Sequence, residues 1–261
     1  MTSLRIFAIG GLMSFRALFG FMSPWIYIPT LVVTPLFQIL LFVFIGRSAG
    51  VESDTFYVVG NAIQYSSVPC LFAMTFTIAG ERFNQTLGPV LVSPAGRLPL
   101  FLGRSLPVIV NGAFVGALSF TLGSLVLGVT VPASAVAPLA LVIVLASASC
   151  TGLGLVLAGI GLRVREQAVM LNIVFGLLLI FTGANVPIEQ LPEWMEAISR
   201  ILPFTHAIEA GREVVAGSGL GDVSGLLLRE LAIGVVYAVF GYRFLRFMER
   251  QGRIHATLER A

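Results

Sequence analysis

The sequence contains no lysine, and all sixteen of its basic residues are arginine. Nucleotide-hydrolysing P-loops place a lysine against the phosphates, and Schiff-base enzymes react through a lysine amine. Both kinds of chemistry are therefore excluded from this chain. If the protein uses ATP, a separate polypeptide must bind and hydrolyse it.

Cysteine and histidine are almost as scarce, with two of each. Cys70 and Cys150 lie in apolar segments far apart in the sequence, so neither a disulfide framework nor a metal cluster is expected. His206 and His255 fall on opposite sides of the membrane in the topology derived below, so they cannot share a metal. The sequence also lacks a metalloprotease motif, a serine elbow and paired intramembrane aspartates. We therefore expect no active site, metal or cofactor on this chain.

Charged residues make up only 11% of the chain, whereas apolar residues make up 57%. The charges are clustered, and they leave charge-free stretches at residues 17–46, 55–80, 105–162, 167–188 and 231–242. About 20 apolar residues cross a hydrocarbon core about 30 Å thick. The third stretch is long enough for two crossings, and the last becomes long enough with its apolar flanks. The pattern predicts six membrane-spanning helices, at residues 25–45, 56–79, 106–127, 137–161, 167–186 and 225–248.

The arginines are unevenly distributed between the two sides of the predicted membrane. One side holds both termini and residues 81–104 and 163–166, with twelve arginines and four glutamates. The other side holds four arginines and nine acidic residues. Because positively charged segments are retained in the cytoplasm, we expect both termini to be cytoplasmic in a multi-pass plasma-membrane protein.

Helices are also predicted outside the spans. Residues 2–22 favour a helix lying in the inner interface, although an extension of the first span fits the same residues. Residues 81–104 favour an amphipathic helix along the inner surface, with a solvated loop as the alternative. Residues 185–222 favour two short helices on the outer face. The predicted fold class is an all-α polytopic membrane protein, with residues 1–261 forming a single transmembrane domain.

Uncharged polar side chains occur within the spans. No ionisable side chain lies deep in the first five spans, which argues against an ion-coupled transporter. For Arg229 and Glu230, near the outer end of the last span, we favour a membrane-edge anchor over a relay. The intramembrane amides are candidates for lining a substrate pathway, or for tying helices together by hydrogen bonds; they are Gln38, Asn61, Gln64 and Asn172.

Two blocks of the sequence resemble the type-two ABC exporter permeases. The run ERFNQTLGPVLVSPAGRLPLFLGR is similar to the coupling segment of that family, although Gln85 stands where glycine is usual. Its matching residues are Glu81, Arg82, Thr86, Leu87, Leu91, Ser93, Pro94, Gly103 and Arg104. The run FTGANVPIEQLPEWMEAISRILPFTHAIEAGREVVAG is similar to the signature before the last span. Its matching residues are Gly183, Pro187, Leu191, Pro192, Trp194, Leu202, Pro203, Thr205 and His206.

The resemblance implies one half of a dimeric membrane domain in a bacterial plasma (inner) membrane. It implies that a separate ABC ATPase subunit, present in two copies, binds ATP and Mg²⁺ and docks on residues 81–94. The second half would be another copy of this chain or a related permease, and the outer helices would close the pathway. An amphipathic drug or antibiotic, or a lipid-linked molecule, is the implied substrate. Besides the bilayer and these subunits no partner is implied, and nothing indicates nucleic acid.

Other functions fit some of the same observations. An ATP-independent channel, or a scaffold subunit of a membrane complex, would also consist of apolar helices with few charges. An intramembrane enzyme that acts on lipids would need clustered ionisable or nucleophilic residues at one depth, which the sequence does not show. The channel or scaffold is therefore the alternative to an ABC permease.

Overall fold

The computed structural model describes residues 7, 9–12, 24–83, 97–164 and 166–255, and this part of the chain is built from helices. In chain order the α-helices are α1 (Pro24–Ala49), α2 (Asp54–Tyr65), α3 (Ser67–Phe83), α4 (Arg97–Leu127), α5 (Ala133–Gly161), α6 (Gln167–Phe181), α7 (Glu193–Ser199), α8 (Thr205–Val215) and α9 (Ser224–His255). A short 3₁₀ helix, Ile188–Gln190, precedes α7. The predicted fold class, an all-α polytopic membrane protein, is confirmed.

Five helical segments within the described residues are long and apolar enough to cross a membrane: α1, α2 together with α3, α4, α5 and α9. The predicted fifth span, 167–186, forms a shorter apolar helix, since α6 has 15 residues and is about 22 Å long. Gly183 explains this end, because its φ of +77° is a left-handed conformation that a helix cannot continue through. The last helix runs seven residues beyond the predicted 225–248.

The second predicted span, 56–79, is broken in its middle. α2 ends at Tyr65, α3 begins at Ser67, and Ser66 between them bonds back to Ile63 O through its N–H at 3.2 Å. Pro69 explains the break, because its ring clashes with the carbonyl four residues earlier and it has no N–H to donate. Both halves contact α4, but their other partners differ: α2 also contacts α1 and α8, whereas α3 lies along α5.

The helices α5 and α9 pack closely along each other, with α3 on another side of α5. Glycines allow the contact: a Cβ added to Gly152 would lie 2.9 Å from Gly234 O, and one added to Gly234 would lie 2.9 Å from Ser149 Cα. Such small residues let helix backbones approach within a membrane. The large core is built around this pair and α3, and it includes buried residues of α8.

The two short helices predicted within 185–222 are present as α7 and α8. The segment that resembles the coupling region is described only at its ends. Glu81 and Arg82 lie in the last turn of α3, but the described side chains do not include theirs. Most of residues 2–22 also lie outside the described residues, as do Thr86, Leu87, Leu91, Ser93 and Pro94.

Candidate functional site

Amide side chains connect α1, α2 and the segment after α6. Asn61 is fully buried on α2, and its Oδ1 accepts a hydrogen bond from Gln38 Nε2 of α1 at 3.2 Å. Its Nδ2 lies 2.8 Å from Asn185 Oδ1 and 3.0 Å from the backbone oxygen of Tyr57. Asn185 in turn donates to Leu179 O at 3.2 Å. Two of the four predicted pathway residues, Gln38 and Asn61, are therefore in direct contact.

Gln64 lies one turn further along α2 and contacts the end of α6. Its Oε1 is 2.8 Å from Thr182 Oγ1, which is itself 2.6 Å from Leu178 O. The Gln64 side chain is fully buried, and its Nε2 has no hydrogen-bond partner among the described residues. Buried amides usually satisfy both their polar atoms, so the Gln64 Nε2 is an unused hydrogen-bond donor inside the protein.

Arg212 of α8 completes this region, which we call the polar junction (Gln38, Asn61, Gln64, Thr182, Asn185 and Arg212). Its Nη2 donates to Gly183 O at 2.9 Å and to Ala184 O at 3.0 Å. Nε and Nη2 also lie 3.4 and 3.3 Å from Phe56 O, and the guanidinium stacks 3.4 Å from the centre of the Phe56 ring. Burial lowers the pKa of Arg212 to about 9. A cation at these carbonyls also complements the negative end of α6.

Gly60 permits this approach of α2 to the end of α6. A Cβ at position 60 would lie 2.5 Å from Ala184 O and 2.7 Å from Arg212 Nη2. Both atoms belong to the same hydrogen bond, so any larger side chain would push α2 away from it. The polar junction thus depends on a glycine beside Asn61.

Glu230 of α9 holds the other side of α8. Its carboxylate is fully buried and accepts hydrogen bonds from the N–H of Phe204 at 2.9 Å and of Ala207 at 3.3 Å. Phe204 has a φ of +78°, a conformation uncommon for a residue with a side chain. The interpretation of Glu230 as a membrane-edge anchor is therefore wrong, because the carboxylate caps the first turn of α8 from within the protein.

The remaining signature residues surround α7 and the start of α8. Pro187 precedes the 3₁₀ helix and Pro192 precedes α7. Trp194 is 62% exposed and lies edge-on to Phe181, with ring centres 6.2 Å apart. Leu191 is partly buried, and the residues that form the start of α8 are buried: Pro203, Thr205 and His206.

His206 connects α8 to the end of α7. Its Nε2 lies 3.2 Å from Arg200 O, and its Nδ1 is 3.9 Å from the Glu209 carboxylate. His206 lowers the pKa of Glu209 through this contact. The pairing of His206 with Glu209 agrees with the helical spacing of the two residues.

Asn172 does not join the polar junction. It is exposed on α6 and donates Nδ2 to Ala168 O of its own helix at 2.8 Å. Sequence reasoning also missed Gly60, Thr182, Asn185, Arg212 and Glu230 as neighbours in space. The sequence did contain one sign of these contacts. Arg212 lies close to the predicted spans and Glu230 lies within the last one, and ionisable residues in such positions mark functional sites.

Among the described residues, no group of three or more His, Cys, Asp and Glu side chains is arranged to hold a metal ion. The polar junction offers amides, hydroxyls and backbone carbonyls around one guanidinium. These groups can bind polar atoms of a ligand by hydrogen bonds, and they join α1, α2, α6 and α8.

Comparison with known proteins shows the family of this chain. The model of a family described as the ABC-2 type transporter matches residues 11–215. A protein of Escherichia coli strain K12, named as the probable multidrug ABC transporter permease YbhR, is 24% identical over 164 residues, and the protein of that name in strain O157:H7 shows the same identity. The match covers 56% of this chain and only 42% of the relative. Because the family model covers well over half of its residues, the chain belongs to the ABC-2 type transporter family.

Proposed function

We propose that this chain is the membrane-spanning permease subunit of an ABC exporter. It moves an amphipathic small molecule, such as a drug or antibiotic, or a lipid-linked molecule across a bacterial plasma membrane with both termini in the cytoplasm. A separate ABC ATPase subunit, in two copies, binds ATP and Mg²⁺ and supplies the energy. A second permease, identical or related, forms the other half of the membrane domain.

The observation that carries this proposal is the family match over residues 11–215, which includes both the coupling segment and the polar junction. Two features of the chain support it further. The absence of lysine means that residues 1–261 contain no ATP-hydrolysing P-loop. The relative is named as a multidrug permease, and the small number of charges in the spans suits an amphipathic substrate.

The second span supports a route for coupling. α3 leads directly into residues 84–96, whose neighbours Glu81 and Arg82 belong to the proposed docking segment. At its other end the same span continues as α2, whose Asn61 and Gln64 contact Asn185 and Thr182. A displacement of α3 by the ATPase would therefore change the packing at the polar junction. This change opens or closes the pathway in our proposal, with α7 and α8 as the outer gate.

The polar junction is the proposed substrate-facing region. Gln64 contributes an unused amide group, and Gln38 and Asn61 contribute an amide pair at the α1–α2 contact. We propose that a substrate with a few polar atoms on an apolar body exchanges hydrogen bonds with these amides as it passes. Asn172 faces away from them and would contact a substrate only at an interface with another subunit.

The test is to extract the tagged chain gently from its membrane and identify the proteins that remain bound. We expect a lysine-bearing P-loop ATPase in equal amount, and ATP turnover that falls when Glu81→Gln is introduced. Glu166→Gln is the matched control, because Glu166 lies on the same predicted side and is exposed before α6. Recovery of the folded chain without any ATPase, together with substrate flux in vesicles lacking ATP, would favour a channel instead.

A further inference from the structure

The α9 helix carries three arginines, separated by 14 and 7 residues, along one exposed side. Arg229, Arg243 and Arg250 are all exposed, and seven residues return to nearly the same side of an α-helix. Arg229 lies near the start of α9, and the other two lie near its end. Within the described part of the chain, none of the three takes part in an ion pair.

The residues between these arginines on the exposed side are large and apolar. Val236 is 66% exposed, Phe240 is 56% exposed, and Phe247, between Arg243 and Arg250, is 52% exposed. A continuous apolar surface of this kind on a membrane-spanning helix faces lipid. Arg243 and Arg250 therefore extend a lipid-facing surface rather than lying on an unrelated side.

Glu249, the acidic residue near the end of α9, lies on the buried side of the helix. Glu249 is only 5% exposed, and its carboxylate accepts a hydrogen bond from Arg246 at 3.1 Å. As a result, the exposed side near the end of α9 presents positive charge with no described carboxylate beside it. We call the exposed surface of Arg243, Phe247 and Arg250 the α9 arginine face.

The spacing along α9 places this face at the membrane boundary. With a rise of 1.5 Å per residue, Arg229 and Arg250 are about 32 Å apart along the axis, close to a hydrocarbon thickness of about 30 Å. Arg243 lies about 10 Å before Arg250 along the helix. Long arginine side chains extend from the hydrocarbon towards the headgroups, so the guanidinium group of Arg243 can approach the headgroup layer that Arg250 borders.

We propose that the α9 arginine face binds the headgroup of an anionic phospholipid in the adjacent leaflet. The guanidinium groups pair with phosphate oxygens, for which their planar donors are well matched, and Phe247 packs against the acyl chains. The face lies beyond residue 215, where the family match ends. The proposal depends on α9 spanning the membrane and not on the ATPase, so it can fail or succeed independently of the proposed transport function.

Lipid quenching of a single tryptophan tests the proposal on the full chain. Phe247→Trp places the reporter between the two arginines, and Trp25→Phe with Trp194→Phe removes the native tryptophans. In vesicles with increasing fractions of brominated phosphatidylglycerol or brominated phosphatidylcholine, we expect stronger quenching by the anionic lipid. Since a basic residue near the surface changes the affinity about fivefold, Arg243→Gln with Arg250→Gln should remove most of the preference.

Arg229→Gln is the matched control, because it lies on the same stripe of α9 at the opposite end and should leave the preference unchanged. Raising the salt concentration in the reporter chain without arginine substitutions gives a second measurement and should weaken the preference. Equal quenching by both lipids in that chain would overturn the proposal. So would an anionic preference that survives in the double variant. A double variant that loses the ATPase without any change in quenching would assign the face to a protein partner and also overturn it.

Discussion

Glu230 accepts a hydrogen bond from the backbone N–H of Phe204 across 26 residues of sequence, at 2.9 Å, inside the protein. The contact joins the last membrane-spanning helix to the first turn of α8. A carboxylate at a helix N-terminus is stabilised by the unpaired N–H groups and by the helix dipole. It also holds Phe204 in its left-handed conformation, so the position of α8 depends on a side chain from another helix.

Replacement of Glu230 should therefore release the start of α8. In Glu230→Gln an amide NH₂ replaces one of the two carboxylate oxygens. An NH₂ cannot accept a hydrogen bond from a backbone N–H, so we expect a loss of about 1–3 kcal/mol in the free energy of unfolding. Thermal unfolding in detergent would measure it as a lower midpoint. Glu213→Gln, on the partly buried side of α8, is the control and should change the midpoint little. Equal midpoints for the two variants would contradict the capping role.

Arg212→Lys should weaken the polar junction although the positive charge is kept. A lysine ammonium cannot reproduce the planar group that contacts three backbone carbonyls and lies over the Phe56 ring. We expect a loss of about 1–2 kcal/mol in the free energy of unfolding. Arg200→Lys is the comparison, since Arg200 forms an exposed pair with Glu196 that is worth less than about 1 kcal/mol. If both lysine variants lose the same stability, the carbonyl contacts do not matter.

Alanine substitutions at two glycines should act in opposite directions. Gly60→Ala places a methyl group 2.5 Å from Ala184 O, and we expect it to cost about 1–3 kcal/mol. Gly176→Ala lies in α6 with no atom within 4 Å of the added Cβ, and should stabilise the helix by up to about 1 kcal/mol. The two midpoints of unfolding in one detergent give the comparison. A Gly60→Ala variant as stable as the parent would show that α2 does not need this close contact.

Gln64→Leu should separate the two interpretations of the intramembrane amides. The stability of this variant should change by less than about 1 kcal/mol, because the substitution removes an Nε2 without a partner, and Thr182, although it loses Gln64 Oε1, keeps its contact with Leu178 O. If Gln64 faces substrate, drug-stimulated ATP turnover of the complex falls while the midpoint of unfolding is kept. Thr121→Val, on an exposed part of α4 outside the polar junction, is the control and should leave turnover unchanged. Unchanged turnover in Gln64→Leu would mean that Gln64 serves only to hold helices together by hydrogen bonds.

The sequence predicted most helical segments of the described residues, but it did not predict which helices contact one another. Charge-free stretches and apolar length predicted the helices because a bilayer constrains both quantities directly. The break at Ser66 was missed because apolar length does not register a proline such as Pro69 inside a span. The contacts of Arg212 and Glu230 could not be predicted, since each joins elements separated by long stretches of chain. The amides were recognised as polar residues in the membrane, but their spacing cannot distinguish Asn61, which joins the polar junction, from Asn172, which does not.

The close packing of α5 against α9 limits which parts of the protein can move. Because the backbones touch at Gly152 and Gly234, sliding or separating these helices would open gaps that no side chain fills. We therefore expect this pair to behave as the stationary frame of the subunit in every state. In the proposed transport cycle, the displacement between an inward-open and an outward-open state must then be taken up by helices outside this pair, with Ser66 as a joint between α2 and α3.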